Sequence, residues 1–176
     1  MAEYPQHLVQ HHFLFDGTPV TIRPVRAEDA AMEQELVRHL SEDSRYFRFM
    51  GSVRELSANK LKYFTEIDYA RHMAFVATIM REGQEVEIGV ARYVATEKAE
   101  SCEFAITVDD AWQGTGVAGL LMIPLQEAAR EHGFRIMEGL VMATNRKMIK
   151  FARQLGFSVH HDPGEGDTVR IELALR

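Results

Sequence analysis

Three strand-length segments joined by very short connections constrain the fold of this chain more than any other feature. They run from His72 to Met80, from Val86 to Ala95 and from Ser101 to Val108. Only Glu82–Gln84 and the residues around Lys98 to Glu100 separate them. Connections this short leave no room for a crossover helix, so the neighbouring strands must be antiparallel. The centre of the chain therefore predicts an antiparallel meander.

After Val108 the pattern changes to alternating helices and strands. The predicted order is helix Gly116 to His132, strand Arg135 to Ala143, helix Asn145 to Leu155, strand Phe157 to His161 and strand Asp167 to Leu175. Gly133 and Gly156 stand where helix C-terminal caps are needed. Because Pro124 interrupts the apolar stripe of the first helix, we expect a single kinked helix there.

The segment before the meander predicts a hairpin followed by short helices. Asp16-Gly17 between apolar stretches indicates a tight turn between two strands. Apolar residues recur at helical spacing between Glu28 and Leu40, and Ser41 and Ser57 suit the N-caps of two further helices. Together with the meander, this order predicts an α/β (α+β) domain whose mixed, mainly antiparallel sheet is flanked by helices.

Charge and cysteine content restrict the classes of partner. The 176 residues carry 20 basic and 26 acidic side chains, which gives a net charge of −6. Nucleic acid and anionic membranes attract the opposite sign, so neither is an expected partner, whereas a cationic substrate such as an amine fits. Cys102 is the single cysteine, and the N-terminus lacks the pattern of a signal peptide. Both observations favour a reducing, cytoplasmic location.

The segment Val108–Ala118 lies directly between a predicted strand and a predicted helix. The first N–H groups of a helix have no internal acceptor, and the helix end carries a partial positive charge. Gly114 and Gly116 remove side chains that would keep a polyanion from this backbone. The spacing matches neither the P-loop nor the dinucleotide fingerprint. A turn that uses glycine for geometry alone is the alternative.

Two motifs carry a resemblance to a known superfamily. Gln113-Gly114-Thr115-Gly116-Val117-Ala118 matches the Gln/Arg-x-x-Gly-x-Gly/Ala motif, and Asn145 is followed eleven residues later by Gly156-Phe157. Both resemble motifs of the GNAT superfamily of acyl-CoA-dependent N-acetyltransferases. A narrower resemblance, to the acetyltransferase domain of bacterial protein lysine acetyltransferases acting on acyl-CoA synthetases, rests on Thr21–Pro24, Glu28–Ala30, Ser44–Phe49, Ile67–Tyr69 and Glu103–Ala105. The resemblance implies one acetyltransferase domain over residues 20–176, preceded by an N-terminal extension with a hairpin strand over residues 1–19.

Alternation along the third meander strand separates two faces. One face is apolar and consists of Cys102, Phe104, Ile106 and Val108. The other carries Glu103 beside the small residues Ala105 and Thr107, a composition suited to the floor of a cleft. A solvated surface glutamate is the alternative. By resemblance, Glu103 is the general base, whereas Cys102 on the apolar face is expected to be a buried thiol.

The resemblance also implies which residues bind acetyl-CoA as the acyl donor. The strand end contacts the pantetheine arm, the turn holds the pyrophosphate, and the asparagine contacts a pantetheine amide. The implied residues are Ile106, Thr107, Val108, Gln113, Gly114, Thr115, Gly116, Val117, Ala118, Asn145 and Met148. Ala152 stands where many members carry a tyrosine proposed as general acid, so no general acid is assigned. The histidines lack the spacing of a zinc site, and no metal is expected.

The chemistry of amine acylation explains why a base is needed. A lysine-type amine with a pKa of ~10.4 is neutral only about once in 2,500 molecules at pH 7, and only the neutral amine attacks a thioester. A carboxylate accepts the proton directly or through one water. The expected acceptor is a protein lysine, as on an acyl-CoA synthetase. The alternatives are a small-molecule amine or a non-catalytic acyl-CoA sensor, and a homodimer is open.

Overall fold

The computed structural model describes residues 2–50 and 53–176, so the first residue of the predicted N-terminal extension lies outside the described range. The strands are β1 (Gln10–Phe13), β2 (Pro19–Pro24), β3 (His72–Arg81), β4 (Gln84–Ala95), β5 (Ser101–Val108), β6 (Ile136–Met142), β7 (Ser158–His160) and β8 (Thr168–Ala174). The α-helices are α1 (Ala30–His39), α2 (Glu42–Phe49), α3 (Ala58–Thr65), α4 (Val117–Glu131) and α5 (Arg146–Gln154).

The described strands form one eight-stranded sheet in the order β1-β2-β3-β4-β5-β6-β8-β7. The meander β3-β4-β5 is antiparallel as predicted, and the hairpin through Asp16-Gly17 joins β1 to β2. In the described part of the chain, β5 and β6 make the only parallel pair. The predicted class, a mixed and mainly antiparallel sheet flanked by helices, is therefore confirmed.

The helix boundaries follow the predicted capping residues. The Ser41 and Ser57 hydroxyls each accept a backbone N–H three residues later at 3.1 Å, at the starts of α2 and α3. Gly133 and Gly156 adopt positive φ values of 86° and 96° just beyond α4 and α5. Pro124 lies inside α4, which is a single helix as predicted. None of the helices in residues 2–50 and 53–176 combines the length and apolar character needed to cross a membrane.

Helices cover both faces of the sheet. On one face, Leu121 and Leu125 of α4 are fully buried in a cluster with Phe75 and Tyr93 of the central strands. The other face is covered by α1 and α3, with side chains that include Leu36, Val37 and Phe64. Each large apolar side chain buried this way contributes about 1.5–3 kcal/mol. This packing fixes the positions of the strand ends and helix ends that form the candidate site.

Candidate active site

Strands β5 and β6 separate partway along their length. They pair only from Ser101 opposite Ile136 to Glu103 opposite Glu138. Beyond that point β5 stays paired to β4 on one side, whereas β6 continues against β8. Residues 104–108 therefore have an unpaired backbone edge toward β6. Unpaired N–H and C=O groups require other partners, so this edge is suited to bind an extended ligand.

An aromatic ring fills the fork between the two strands. A Cβ atom added to Gly139 of β6 would lie only 2.8 Å from a ring carbon of Phe104 on β5. The Phe104 ring also packs against Phe157, with 5.1 Å between the ring centroids. Any larger residue at position 139 would displace the ring, so glycine is required where the strands diverge.

The divergence opens a cleft of about 870 Å³, within the range typical of small-molecule and cofactor sites. Its walls come from the end of β5, the turn before α4, α2, β6 and the start of α5. Nearly all of the predicted donor-binding residues line it, namely Ile106, Thr107, Val108, Gln113, Gly114, Gly116, Val117, Ala118, Asn145 and Met148. Thr115 does not line the cleft, because its hydroxyl donates to the Trp112 carbonyl and its own carbonyl accepts the Phe15 N–H.

The turn between β5 and α4 presents unoccupied backbone donors. Gly114 and Gly116 adopt positive φ values of 80° and 94°, and no side chain caps the start of α4. Across residues 2–50 and 53–176, no acceptor receives the N–H groups of residues 114–118. A cluster of free N–H groups at a helix N-terminus is an anion-binding site.

Glu103 lies just outside the cleft lining, at the point where β5 and β6 separate. It belongs to the last paired position of β5 and β6, opposite Glu138, and its side chain is exposed. Ala105 and Thr107, on the same face of β5, line the cleft, whereas Glu103 lies just before the first lining residue, Phe104. The cleft lining also includes residues from the predicted apolar face, because it forms along the strand's open edge.

Helix α2 is joined to the turn by a cluster of hydrogen bonds. The Asp110 carboxylate accepts the Ser41 N–H at 3.0 Å, the Ser41 hydroxyl at 2.9 Å and the Ser44 hydroxyl at 2.8 Å. Partial burial raises the pKa of Asp110, but these hydrogen bonds outweigh it and lower the pKa below its usual value. Asp110 therefore remains ionised and holds α2 against the rim of the cleft.

Arg48 gives the α2 side of the cleft a positive charge. It is half-buried and lines the cleft. Burial, followed by the nearby Arg92 charge, lowers the pKa of Arg48 to about 10. The Glu33 and Glu103 carboxylates act in the opposite direction. Arg48 stays cationic at neutral pH, and Glu103 lies within its electrostatic field.

On the opposite wall, Asn145 caps α5. Its side chain accepts the Met148 N–H at 3.3 Å, and both residues line the cleft. Ala152, at the position of the family tyrosine, is fully buried and has no titratable group. Cys102 is also fully buried, as predicted. Burial, followed by the Glu138 charge, raises the pKa of the Cys102 thiol to about 12, so it is a poor nucleophile.

Sequence reasoning missed several contributors to the cleft. Phe15 lies in the lining, close to Gly116, although it comes from the N-terminal hairpin. Asp110 and Ser41 are 69 residues apart. Gly139 sits in the middle of a strand, where an isolated glycine signals a close approach of another group. That glycine is the one signal that could have been used; the other two contacts depend on tertiary structure.

Comparison with known proteins adds independent findings. The family model of the acetyltransferase (GNAT) domain matches residues 20–158. The chain is 40% identical over 162 residues to "Acetyltransferase PA5475" of Pseudomonas aeruginosa, a match that covers 92% of this chain and 87% of the relative.

Two solved structures share the fold. The GNAT domain of S. lividans PAT matches with a TM-score of 0.88 at 32% identity and covers 98% of this chain and 100% of that chain. The structure of yncA from Salmonella typhimurium, determined with acetyl-CoA, matches with a TM-score of 0.71 at 21% identity. That match covers 89% of this chain and 94% of yncA, and it is a likeness of fold.

Proposed function

Because the chain belongs to the acetyltransferase (GNAT) family, we propose that it transfers acetyl from acetyl-CoA to an amine, with a protein lysine as acceptor. One observation carries the proposal: free N–H groups lie at one end of an open strand edge, and a carboxylate lies at the other. In the proposal, residues 20–176 form the acetyltransferase domain and residues 1–19 form its N-terminal extension.

In the proposal, acetyl-CoA lies along this edge, with its pyrophosphate at the turn and its acetyl group near Glu103. The pyrophosphate binds the N–H groups of residues 114–118, where the helix dipole of α4 adds a favourable field. The pantetheine arm follows the unpaired edge of residues 104–108, with its amides in place of a missing strand. From Val108 back to Glu103 this edge measures about 17 Å, at ~3.4 Å per residue, a length that an extended phosphopantetheine arm spans.

Glu103 acts as the general base in the proposed reaction. The amine nitrogen attacks the thioester carbonyl while its proton passes to the Glu103 carboxylate, directly or through one water. The carbon–sulfur bond then breaks, and the coenzyme leaves as a thiolate that takes a proton from solvent or, through water, the one that Glu103 accepted. Because Cys102 is buried and its pKa is raised to about 12, direct transfer in a ternary complex is favoured over an acyl-enzyme.

A protein lysine is the acceptor that the observations support best. Short segments such as Ser44–Phe49 and Glu103–Ala105 resemble those of protein lysine acetyltransferases, and the S. lividans PAT domain matches over almost the whole chain. A net charge of −6 also favours a cationic acceptor. The proposal places the enzyme in the cytoplasm, consistent with its single buried thiol.

Substitution at Glu103 tests the mechanism. Glu103→Gln should leave acetyl-CoA affinity almost unchanged in calorimetric titration and lower turnover by ~10²-fold or more. Its remaining activity should rise with pH toward the pKa of the amine, ~10.4 for lysine, because a growing fraction of the acceptor then needs no base.

Glu138→Gln is the matched control, since Glu138 is the β6 partner of Glu103 and pairs with Lys98 at 3.6 Å. This variant removes the same charge next to Glu103 and should keep turnover within about threefold of the wild type. Wild-type turnover in Glu103→Gln would refute the role of Glu103. Absence of heat on titration with acetyl-CoA would refute the donor.

The acceptor is decided by comparing substrates on the purified enzyme. Thiol release should be measured with folded acyl-CoA synthetases, lysine peptides, polyamines and amino acids. The proposal expects release with protein lysines and a much lower kcat/KM with the small amines. The reverse order would assign a small-molecule acceptor, and binding without release across the whole panel would indicate a sensor.

A further inference from the structure

The tip of the N-terminal hairpin presents an exposed aromatic ring at the cleft. Phe15 is 86% exposed, although it lies in the lining of a site. Its backbone is anchored to the turn, because its N–H donates to the Thr115 carbonyl at 3.0 Å. The loop behind it is closed by hydrogen bonds from Leu14 N–H to the Thr18 carbonyl and from Gly17 N–H to the Leu14 carbonyl, each at 2.9 Å. Phe15 therefore combines an anchored backbone with a ring that is open to solvent.

The ring touches the anion-binding turn itself. A Cβ atom added to Gly116 would lie 2.9 to 3.1 Å from three carbons at the far end of the Phe15 ring. Gly116 thus has two constraints, the positive φ of 94° and the contact with Phe15. Contact through the ring's end leaves its faces largely uncovered, which agrees with its exposure.

The orientation of bound acetyl-CoA determines which of its groups lies next to the Phe15 ring. In the proposed function, the acetyl group lies near Glu103 and the pyrophosphate lies on the turn. The nucleotide must then leave the turn on the side away from β5. Phe15 borders the turn and lines the same cleft, so the part of the donor that reaches it is the nucleotide.

Resting on that function, we propose that Phe15 is a binding residue for the adenine base of CoA, which stacks on its open face. A purine is a flat, apolar-faced group that pairs favourably with an aromatic side chain. Arg146 and Lys147 line the cleft from α5 and supply positive charge for the phosphates of the same nucleotide. The N-terminal extension is thereby part of the donor site.

Acetyl donors with and without the adenine base test whether Phe15 contacts that base. Phe15→Ala should weaken binding of acetyl-CoA, and of its 3′-dephospho form, by at least about 5-fold, near the lower end of what base stacking contributes. Affinity for acetyl-phosphopantetheine, which has no adenine, should not change. Phe15→Tyr should restore acetyl-CoA affinity, because it keeps an aromatic face.

Phe13→Ala is the matched control, because Phe13 lies on the same hairpin, is 74% exposed and does not line the cleft. It should bind all three donors as the wild type does. An equal loss with all three donors in Phe15→Ala would overturn the proposal and indicate that the ring only shapes the turn. Unchanged acetyl-CoA affinity would also overturn it. Failure of the wild type to bind acetyl-CoA would instead refute the proposed function.

Discussion

Two networks of charged side chains include the carboxyl groups buried at the start of α1, Asp29 and Glu33, and the two networks stabilise these groups in different ways. The Arg23 network consists of Arg23, Asp29 and Glu85. The Arg92 network consists of Arg92, Glu33, Glu87 and His72. Glu85 and Glu87 are only two residues apart on β4, yet their pKa values shift in opposite directions.

In the Arg23 network every charge has a geometrically suitable partner. The Arg23 guanidinium donates two hydrogen bonds of 2.8 Å to the Asp29 carboxylate and two of 3.2 Å to Glu85. Glu85 also accepts the Thr78 hydroxyl at 2.8 Å. Burial raises the pKa of Glu85, but these hydrogen bonds outweigh that effect and lower it.

The Arg92 network has more acids than its cation can satisfy. Arg92 makes a single hydrogen bond of 3.3 Å to Glu33, and its other donors go to the Phe64 carbonyl and to His72 Nε2. Neither oxygen of Glu87 has a donor among the described residues. Burial, and then the Glu33 charge, raise the pKa of Glu87 well above its usual value. Both effects favour the neutral form of Glu87, which avoids the cost of a second buried anion beside Glu33.

Burial alone therefore does not set the ionisation of a carboxyl group in this protein. What decides it is the number of donors that the fold brings within reach. The Arg23 network stabilises charges and lies away from the cleft. The charges of Arg92 and Glu33 act on Arg48, which lines the cleft. The charge state of the Arg92 network therefore affects the electrostatics of the site.

Disrupting the Arg23 network, in which every charge is paired, should reduce the unfolding free energy more than the other substitutions proposed below. Arg23→Met removes the bidentate partner of Asp29, which is 1% exposed. An unpaired buried carboxylate costs about 3–5 kcal/mol of unfolding free energy, measurable by urea denaturation. Arg26→Met is the control: its side chain is 44% exposed and its ion pairs with Asp29 and Glu85 are 3.8 and 3.9 Å long, so it should cost under about 1 kcal/mol. Equal losses in both variants would contradict this interpretation.

A smaller effect comes from pH acting on the Arg92 network. Burial, and then the Arg92 charge, lower the pKa of His72 from 6.5 to about 4. Between these values the unfolded chain binds a proton that the folded protein does not, so stability falls as pH decreases from 6.5 toward 4. From pH 7 to pH 5 the contribution of His72 should fall by about 2 kcal/mol.

His72→Gln keeps an acceptor for Arg92 but does not titrate. The unfolding free energy of the wild type minus that of this variant should therefore fall between pH 7 and pH 5. His12→Gln, the same substitution at a half-buried position on the edge strand β1, is the control. If the His72 difference is flat, the histidine is not held neutral by its surroundings.

The most direct comparison of the two networks makes the same substitution at two positions on β4, and its expected loss of stability at pH 7 is the smallest. Glu85→Gln should cost about 1 kcal/mol at pH 7, and this cost should disappear as the pH falls through the lowered pKa, because protonation removes the same charge. Glu87→Gln should behave oppositely. Above pH ~4.5 ionisation of Glu87 favours the unfolded chain, so the variant should gain stability relative to the wild type as pH rises, at up to about 1.4 kcal/mol per pH unit. Parallel pH profiles for the two variants would remove the distinction between the networks.

Much of the fold was predictable because the signals were local. Ser41 and Ser57 begin helices, Asp16-Gly17 forms the hairpin turn, and short connections made the meander antiparallel. In the site, the position of the turn followed from the motif around Gly114 and Gly116, and nearly all of the predicted donor-binding residues line the cleft. These features depend on a few adjacent residues.

The features that were not predicted join distant segments. Arg23 and Glu85 are 62 residues apart, Arg92 and Glu33 are 59 apart, and Ser41 and Asp110 are 69 apart. Nothing near Phe15 in the sequence indicates that its ring lies against Gly116. The expectation that Glu103 shares a floor with Ala105 and Thr107 followed from alternation, which says nothing about where β6 leaves β5.

Local sequence specifies the elements, their caps and the glycine-rich turn, because backbone conformation responds to neighbouring residues over one or two turns of chain. Contacts between distant segments set where β5 and β6 separate, in which direction the pKa of each buried carboxyl group shifts and which side chain lies against the turn. Those outcomes depend on which distant groups meet in a place that excludes water, where each missing donor or extra side chain changes the free energy.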